Sequence, residues 1–454
     1  MSYNKIEKKV LSKVTPTEKY RNSVNKITKE LENILTDEIQ KRKLPVKIEL
    51  VGSIAKDTYL MNNMDIDFFL CFPSNYSKDE ISKNALTIGK KILKNTEESY
   101  AEHPYIRGYY DDFYIEIVPC YQIKKAIQKL SAVDRTPLHT KYVKENIKEK
   151  QKQEVRLFKQ FLKGINCYGA EAQVEGFSGY LCEIIILYYK NFENTLKNAK
   201  NWRYGEKLST KKGKYQDFDT PLVFIDPVDP DRNVASAVSK EKFDLFIKAS
   251  KKYLENPKIT FFFPNKVKPW SLEKIKKETE KQDAVFTIIK LKKPNIIDEN
   301  LYPQIKKGLK SIIDNCKRAD FKIFDANYFV DNKNEKIFLI IKSKNEILSK
   351  SYEHIGPPVK VKQNSKDFIK KWKDNPLNIK GPYTKNERYY VEVKRQYRKI
   401  EGFLKDNIKN LSMGKDIDKI ISKNYKILKI KDLLKEEFRL FWTQYLDGID
   451  SWER

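Results

Sequence analysis

Histidine, cysteine and uninterrupted apolar sequence are all scarce in this chain. Its 454 residues include three histidines, His103, His139 and His354, too few for a His-rich metal centre. The five cysteines are Cys71, Cys120, Cys167, Cys182 and Cys316. They are widely spaced, form no Cys-x-x-Cys pair, and several lie in apolar runs. They read as small buried hydrophobes of a reducing compartment, not as disulfides or zinc ligands. No stretch approaches the roughly eighteen uncharged apolar residues of a membrane span, and the opening MSYNKIEKKVLSK has no apolar signal core. The cytoplasm is the expected location. No G-x-x-x-x-G-K-[ST] occurs, which removes a P-loop ATPase. There are no internal repeats and no low-complexity tract. Disorder is excluded as well, because 40% hydrophobic and 12% aromatic residues supply material for real cores.

Positive charge is in excess: 90 Lys+Arg against 62 Asp+Glu, a net +28. Lysine and arginine neutralise phosphates, so a polyanion partner is the first physical suggestion. The alternative is a generally lysine-rich proteome whose lysines lie on solvated helix faces. The length suggests about three domains, with expected boundaries at 1–145, 146–265 and 266–454. In the first, Thr15-Pro16-Thr17-Glu18 followed by Val24, Ile27, Leu31, Ile34 and Leu35 predicts a capped amphipathic helix over 15–43. VKIELVGS predicts a strand ending at Gly52-Ser53, with a helical turn over about 54–61. MDIDFFLCFP predicts a second strand, 78–97 a helix, and YIRGYYD with DFYIEIVPCYQI two neighbouring strands. Residues 145–200 have helical period, and FIDPVDPDRNVASAVS reads as a loop leading to a helix at about 239–254. Over 283–394 the order is β-α-β-β-α-β, that of ferredoxin-like modules, some of which bind RNA. Its closing strand is expected at RYYVEVK. The last sixty or so residues look helical and basic.

Asp65 and Asp67 in DIDFFLCF alternate with Ile66 and Phe68, so both acids face one side of their strand. Side-by-side carboxylates repel unless a cation lies between them. Oxygen ligands without nearby His or Cys suit Mg²⁺; a solvated strand face is the plainer alternative. Two features favour the metal. Gly52-Ser53 ends the preceding strand, where glycine lets backbone N–H groups approach a phosphate and serine adds a donor. In FYIEIVP, Glu116 is a third acid, flanked by apolar residues on a further strand. Three such carboxylates could form a two-metal phosphoryl-transfer site.

Gly-Ser, a spaced Asp-x-Asp and a third acid on a later strand resemble the signature of polymerase β-like nucleotidyltransferases. More narrowly, DIDFFLCFP, AEHPYIRG, IEIVPCY, SAVDRTPLHTKYV, NCYGAE, GFSGYLCE and DPVDPDRNVA, in order over roughly residues 50–240, resemble archaeal (class I) tRNA CCA-adding enzymes; KPNIIDENLYPQ continues the likeness. The resemblance implies an α+β multidomain protein: a polymerase β-like nucleotidyltransferase palm, a helical nucleotide- and primer-binding domain, and a tRNA-binding region with a ferredoxin-like module and a helical tail. The implied activity is template-independent addition of C, C and A to the 3′ end of tRNA from CTP and ATP. The rival readings are a specialised CC- or A-adding or poly(A)-tailing enzyme, and an inactive basic RNA-binding relative.

By resemblance, Asp65, Asp67 and Glu116 are the catalytic acids that hold two Mg²⁺ ions. Ser53 and Lys56 lie in the triphosphate turn. Thr136 and His139 lie near the nucleotide's sugar and phosphates, Lys159 and Tyr168 hold the triphosphate, and Arg232 presents a guanidinium to the base edge. Taken alone, Lys159 reads as a surface lysine, His139 as a structural or exposed histidine, Tyr168 as core and Arg232 as a solvated charge. The expected partners are the acceptor stem and T arm of tRNA and the nucleoside triphosphates; a homodimer is also allowed. This chain departs from the family pattern in three places. Lys56 stands where arginine is usual, Asn62, Asn63 and Met64 stand where arginine and glycine are common, and Asp65 and Glu116 reverse the usual Glu and Asp. All three acids are retained, so activity is expected.

Overall fold

The computed structural model describes residues 4–61, 65–100, 102–211, 213 and 215–454. Asn62, Asn63 and Met64 lie outside the described residues. The chain forms two units, one running to Lys266 and joined by Ile449–Arg454, the other Val267–Gly448.

The first unit contains a five-stranded sheet of β1 (Lys47–Val51), β2 (Asp65–Phe72), β3 (Lys94–Tyr100), β4 (Pro104–Tyr110) and β5 (Phe113–Tyr121). The order is β1-β2-β5-β4-β3, with β2 parallel to β5 and the other pairs antiparallel. Strand alternation gives each face its own packing. Ile66, Phe68 and Leu70 join Ile115 and Ile117 against the helices α2 (Glu18–Lys41) and α4 (Lys78–Ile92). Phe69, Cys71, Val118 and Cys120 pack on the opposite face. That second face is the one on which Asp65, Asp67 and Glu116 continue the same alternation toward the start of β2.

Three local expectations need correction. The helix expected over 15–43 is the single helix α2, but its start is Glu18 and not Thr15, and a separate helix, α1 (Lys5–Val14), precedes it. Thr15 follows the end of α1, and the start of α2 is capped by Thr17, whose hydroxyl accepts from Tyr20 N at 3.2 Å. The turn after β1 is α3 (Gly52–Ala55), which begins at the glycine itself. The helix expected to reach residue 97 ends at Ile92, and Lys94–Tyr100 becomes the edge strand β3. Its side chains are largely exposed, as suits a polar, charged edge.

The rest of this unit is mostly helical: α5 (Thr136–Asn146), α6 (Glu149–Gly164), α7 (Gly179–Tyr189), α8 (Phe192–Ala199), the short strands β6 (Glu206–Leu208) and β7 (Leu222–Phe224), and α9 (Lys240–Glu255). Phe158, Phe161, Phe177, Ile185 and Phe246 dominate its core, and Val10 and Val14 of α1 join them. The returning C-terminal segment is part of this packing. Trp452 stacks on Phe261 with ring centroids 5.3 Å apart, and Ser451 Oγ donates to the Gly164 carbonyl at 2.7 Å.

The second unit begins with α10 (Leu272–Glu280), β8 (Ala284–Lys292), α11 (Asp298–Arg318), β9 (Ile323–Asp331) and β10 (Lys336–Lys344). Next come β11 (Ser351–Pro358), α12 (Lys362–Lys373), β12 (Asn378–Lys385) and β13 (Arg388–Lys394). It ends with α13 (Ile400–Asn407), α14 (Lys415–Lys423), β14 (Lys426–Lys429) and α15 (Arg439–Asp447). The main sheet has the order β14-β8-β10-β9 with every pair antiparallel, which is the ferredoxin-like arrangement. Its fourth strand is β14 and not the expected RYYVEVK. That segment, β13, is the centre of a separate sheet β11-β13-β12, because its apolar residues Val391 and Val393 pack on Phe368 and Trp372 of α12. The β11–β13 segment with α12 is therefore inserted between the third and fourth strands of the module. Among the described residues no helix is long and apolar enough to cross a membrane.

Candidate active site

The interior strands β2 and β5 bring the acids together. Asp67 stands opposite Glu116 in the β2–β5 register, Asp65 opposite Tyr114, and Val51 opposite Asp67 on the other side. The three carboxylates thus lie on one face of two adjacent strands, next to the Gly52-Ser53 turn. Gly52 adopts φ +72°, and a Cβ there would collide with Asp67 Oδ2. Glycine is required twice over, for the left-handed backbone and for the close approach of the carboxylate.

The acids are held out of their ordinary range. Loss of solvation at the carboxylate, then the charges of Glu116 and Asp65, push Asp67 up from 3.8 to about 8, with Lys56 opposing. Burial and Asp65 raise Glu116, against Arg107; burial raises Asp65, against Lys163. Such a cluster fits a hard divalent cation, which relieves the repulsion and takes oxygen ligands only. Among the described residues no group of three or more His, Cys, Asp or Glu side chains is drawn together closely enough to enclose a metal ion.

Two buried carboxylates organise the predicted basic groups. Glu183 of α7 is fully buried. It accepts from Lys56 Nζ at 2.6 Å, Thr58 Oγ1 at 2.5 Å and Lys159 Nζ at 3.3 Å. Burial opposes its charge, but the two ammonium groups hold its carboxyl below the usual range. Lys159 Nζ also donates to the carbonyl and the hydroxyl of Thr58, each at 3.2 Å. Lys159 is therefore no surface lysine. With Arg156, which donates to the carbonyls of Tyr59 and Asp57 at 2.9 and 2.7 Å, it fastens the turn after β1 onto α6. Tyr168 lies alongside: a Cβ at Gly179 would be 3.2 Å from Tyr168 Oη and 3.8 Å from Lys159 Nζ.

The second carboxylate is Asp226, in the Pro- and Asp-rich loop. Its Oδ2 lies 2.9 Å from His139 Nε2 and accepts from Arg232 Nη1 at 2.9 Å. Its Oδ1 accepts from Tyr180 Oη at 3.1 Å. Three residues further along the loop, Asp229 accepts from Lys129 and Arg135 at 2.9 and 2.8 Å. The loop is thereby stitched to the start of α5, where Thr136 lies one turn before His139 on the same helix face. The clusters touch. Lys56 Nζ lies 6.0 Å from the Tyr180 ring centroid, and that ring stacks on His139 at 4.0 Å. Ser53 is tied into the turn through its backbone, its carbonyl accepting from Thr58 N at 2.9 Å.

Three family models match the chain in order. A nucleotidyltransferase domain matches residues 29–157, the second domain of tRNA nucleotidyltransferases 153–263, and the C-terminal domain of CCA-adding enzymes 282–429. The chain is 36% identical over 444 residues to the CCA-adding enzyme of Thermoplasma volcanium, covering 97% of this chain and 98% of that one. This chain belongs to the CCA-adding enzymes. It is similarly 33% identical over 444 residues to the enzyme of Methanosarcina barkeri (96% and 97% covered) and 34% identical over 452 residues to that of Methanocaldococcus jannaschii (95% and 96%).

Within a CCA-adding enzyme, Glu183, Asp226, Tyr180 and Asp229 are the site residues that sequence reasoning did not single out. A signal existed for one of them. Glu183 interrupts the apolar run GYLCEIIILYY, and an acid in a buried helix must have partners. Asp226 had no such signal, because an acid directly before a proline reads as an ordinary turn.

Proposed function

We propose that this protein adds C, C and A to the 3′ end of tRNA from CTP and ATP without a nucleic-acid template, releasing pyrophosphate at each step. The observation that carries the proposal is the near full-length match to CCA-adding enzymes in a chain that keeps all three acids. Asp65, Asp67 and Glu116 hold two Mg²⁺ ions. When bound, the metal supplies charge neutralisation for the triphosphate and lowers the pKa of the primer hydroxyl. The primer 3′ hydroxyl releases its proton to solvent, its oxygen forms a bond to the α-phosphorus of the nucleotide, the bond to the β-phosphate oxygen breaks, and pyrophosphate departs with its charge.

The protein's part is positioning and electrostatics. Ser53, Lys56, Lys159 and Tyr168 bind the triphosphate. Lys56 and Lys159 share the single Glu183 carboxylate, and burial with the neighbouring Lys56 charge holds Lys159 below its ordinary pKa. Thr136 and His139 bind sugar and phosphates, and Arg232 binds the base edge. Residues 1–145 act as catalytic domain, 146–265 as nucleotide- and primer-binding domain, and 266–454 as the region that holds the acceptor stem and T arm by shape and charge. The protein acts in the cytoplasm, and a homodimer is compatible with this reading.

The test is incubation with Mg²⁺, CTP, ATP and a tRNA transcript lacking its terminal CCA, followed by sequencing of the 3′ ends. C-C-A and no more, absent with Asp67→Asn, is the expected result. Only C residues, a lone A or a long tail would assign a specialised or tailing enzyme, and tight tRNA binding without addition an inactive relative.

A further inference from the structure

We propose that Asp226 is a positioning residue that fixes the hydrogen-bonding sense of His139 and the plane of the Arg232 guanidinium as one unit, so that a single buried carboxylate sets two nucleotide contacts. The proposal rests on the nucleotide-binding roles given above for those two residues.

The Asp226 side chain is fully buried, so it does not touch a ligand itself. Its valence is filled. Oδ2 serves His139 Nε2 and Arg232 Nη1, each at 2.9 Å, and Oδ1 accepts from Tyr180 Oη at 3.1 Å and Val228 N at 3.0 Å. Burial alone would raise its pKa, but His139, the Val228 N–H and Arg232 bring it down to about 2, so it is an ionised group that only accepts. His139 Nε2 must therefore carry the proton of that bond. Burial also holds the imidazole below its ordinary pKa, against the pull of Asp226, so at neutral pH and above the ring is neutral and Nδ1 is its acceptor. The Tyr180 ring, stacked at 4.0 Å and 22°, fixes the rotation of the imidazole. The structure thus prescribes an acceptor at His139, suited to a hydroxyl donor such as that of a ribose. On the other arm, Nη1 of Arg232 is committed to Asp226 while the side chain stays 31% exposed, so the rest of the planar fork turns outward in a set plane.

Asp226→Asn preserves volume and reverses this logic. The asparagine carbonyl would keep the Tyr180 and Val228 donors, and its amide NH₂ would face His139 and Arg232. Nε2 would then have to accept, the proton would move to Nδ1, and Arg232 would meet a donor where it had an acceptor.

With three histidines in the chain, imidazole ¹⁵N NMR resolves His139 directly, using His139→Gln for assignment. The expected result is an Nε2-protonated tautomer in the full-length protein and an Nδ1-protonated one in Asp226→Asn. Calorimetric binding of CTP should weaken by about 10- to 100-fold in that variant. In the His139→Gln/Arg232→Gln background the same change should cost no more than about twofold. An Nδ1-protonated wild type, an unchanged tautomer or CTP affinity in the variant, or a full loss in the double background would overturn the proposal. If Asp226→Asn does not fold, the wild-type tautomer and the effect of Arg232→Gln on CTP binding decide it, with unaltered binding overturning it. None of these readouts needs tRNA, so failure to add CCA with the tautomer switch and CTP loss intact would defeat only the function proposed above.

Discussion

Three carboxyl groups on two neighbouring interior strands of one sheet shape the pH dependence of the metal-free protein. Asp67 is the most displaced, from 3.8 to about 8. A carboxyl whose folded pKa exceeds its unfolded one binds its proton more tightly in the native state. Between those two values the native state carries more protons than the unfolded chain, so stability falls as pH rises. Melting of the metal-free protein should therefore shift to lower temperature as pH rises from about 5 to about 8.5. Mg²⁺ should restore it, more strongly at the higher pH, because the ion competes with the proton. A metal-free melting temperature that rises over this range would contradict the carboxylate cluster. Asp67→Asn should abolish nucleotide addition yet leave the metal-free protein at pH 8.5 at least as stable as wild type, since it removes one of three mutually repelling charges. A large loss of stability would assign Asp67 a structural role.

At the scale of elements, the turn between β1 and β2 is where backbone and chemistry meet. Gly52→Ala places a methyl group against Asp67 Oδ2 at a residue with φ +72°. The turn or the carboxylate must move, and a displacement of about 1 Å can cost about 100-fold in rate. Single-turnover addition of the first C should show a loss of that order with little change in tRNA affinity; unaltered turnover would mean the site tolerates the shift. The same elements explain what the sequence made legible. β1, β2 and β5 alternate cleanly around a buried sheet, so the shared face of Asp65, Asp67 and Glu116 followed from a period of two. β3 has no such alternation: it is a polar edge strand, visible only through its pairing with β4. The choice between β13 and β14 as closing strand depended on which apolar face α12 would take, a non-local contact that local propensity does not encode. The clamps of Glu183 and Asp226 span 127 and 87 residues to Lys56 and His139. For that reason the basic residues were found by resemblance and their anchors were missed.

For the whole molecule, the net charge of +28 makes binding to tRNA a counterion-release problem. If about six to ten phosphates are contacted, affinity should fall by about 10³ to 10⁵ between roughly 50 and 200 mM salt. A flat response in filter binding would defeat the electrostatic account. The first unit depends on its distant end. Trp452 is 3% exposed against Phe261, so Trp452→Ala should cost about 3–5 kcal/mol in denaturant melts, and a loss under about 1 kcal/mol would mean the segment merely rests on the surface. The return of Ile449–Arg454 also imposes an order on biosynthesis. A ribosome that has finished the strands and helices up to Lys266 has not yet made the residues that complete their packing. It must first thread out all of Val267–Gly448. The nascent first unit therefore waits, one stacked aromatic short, until the second has emerged.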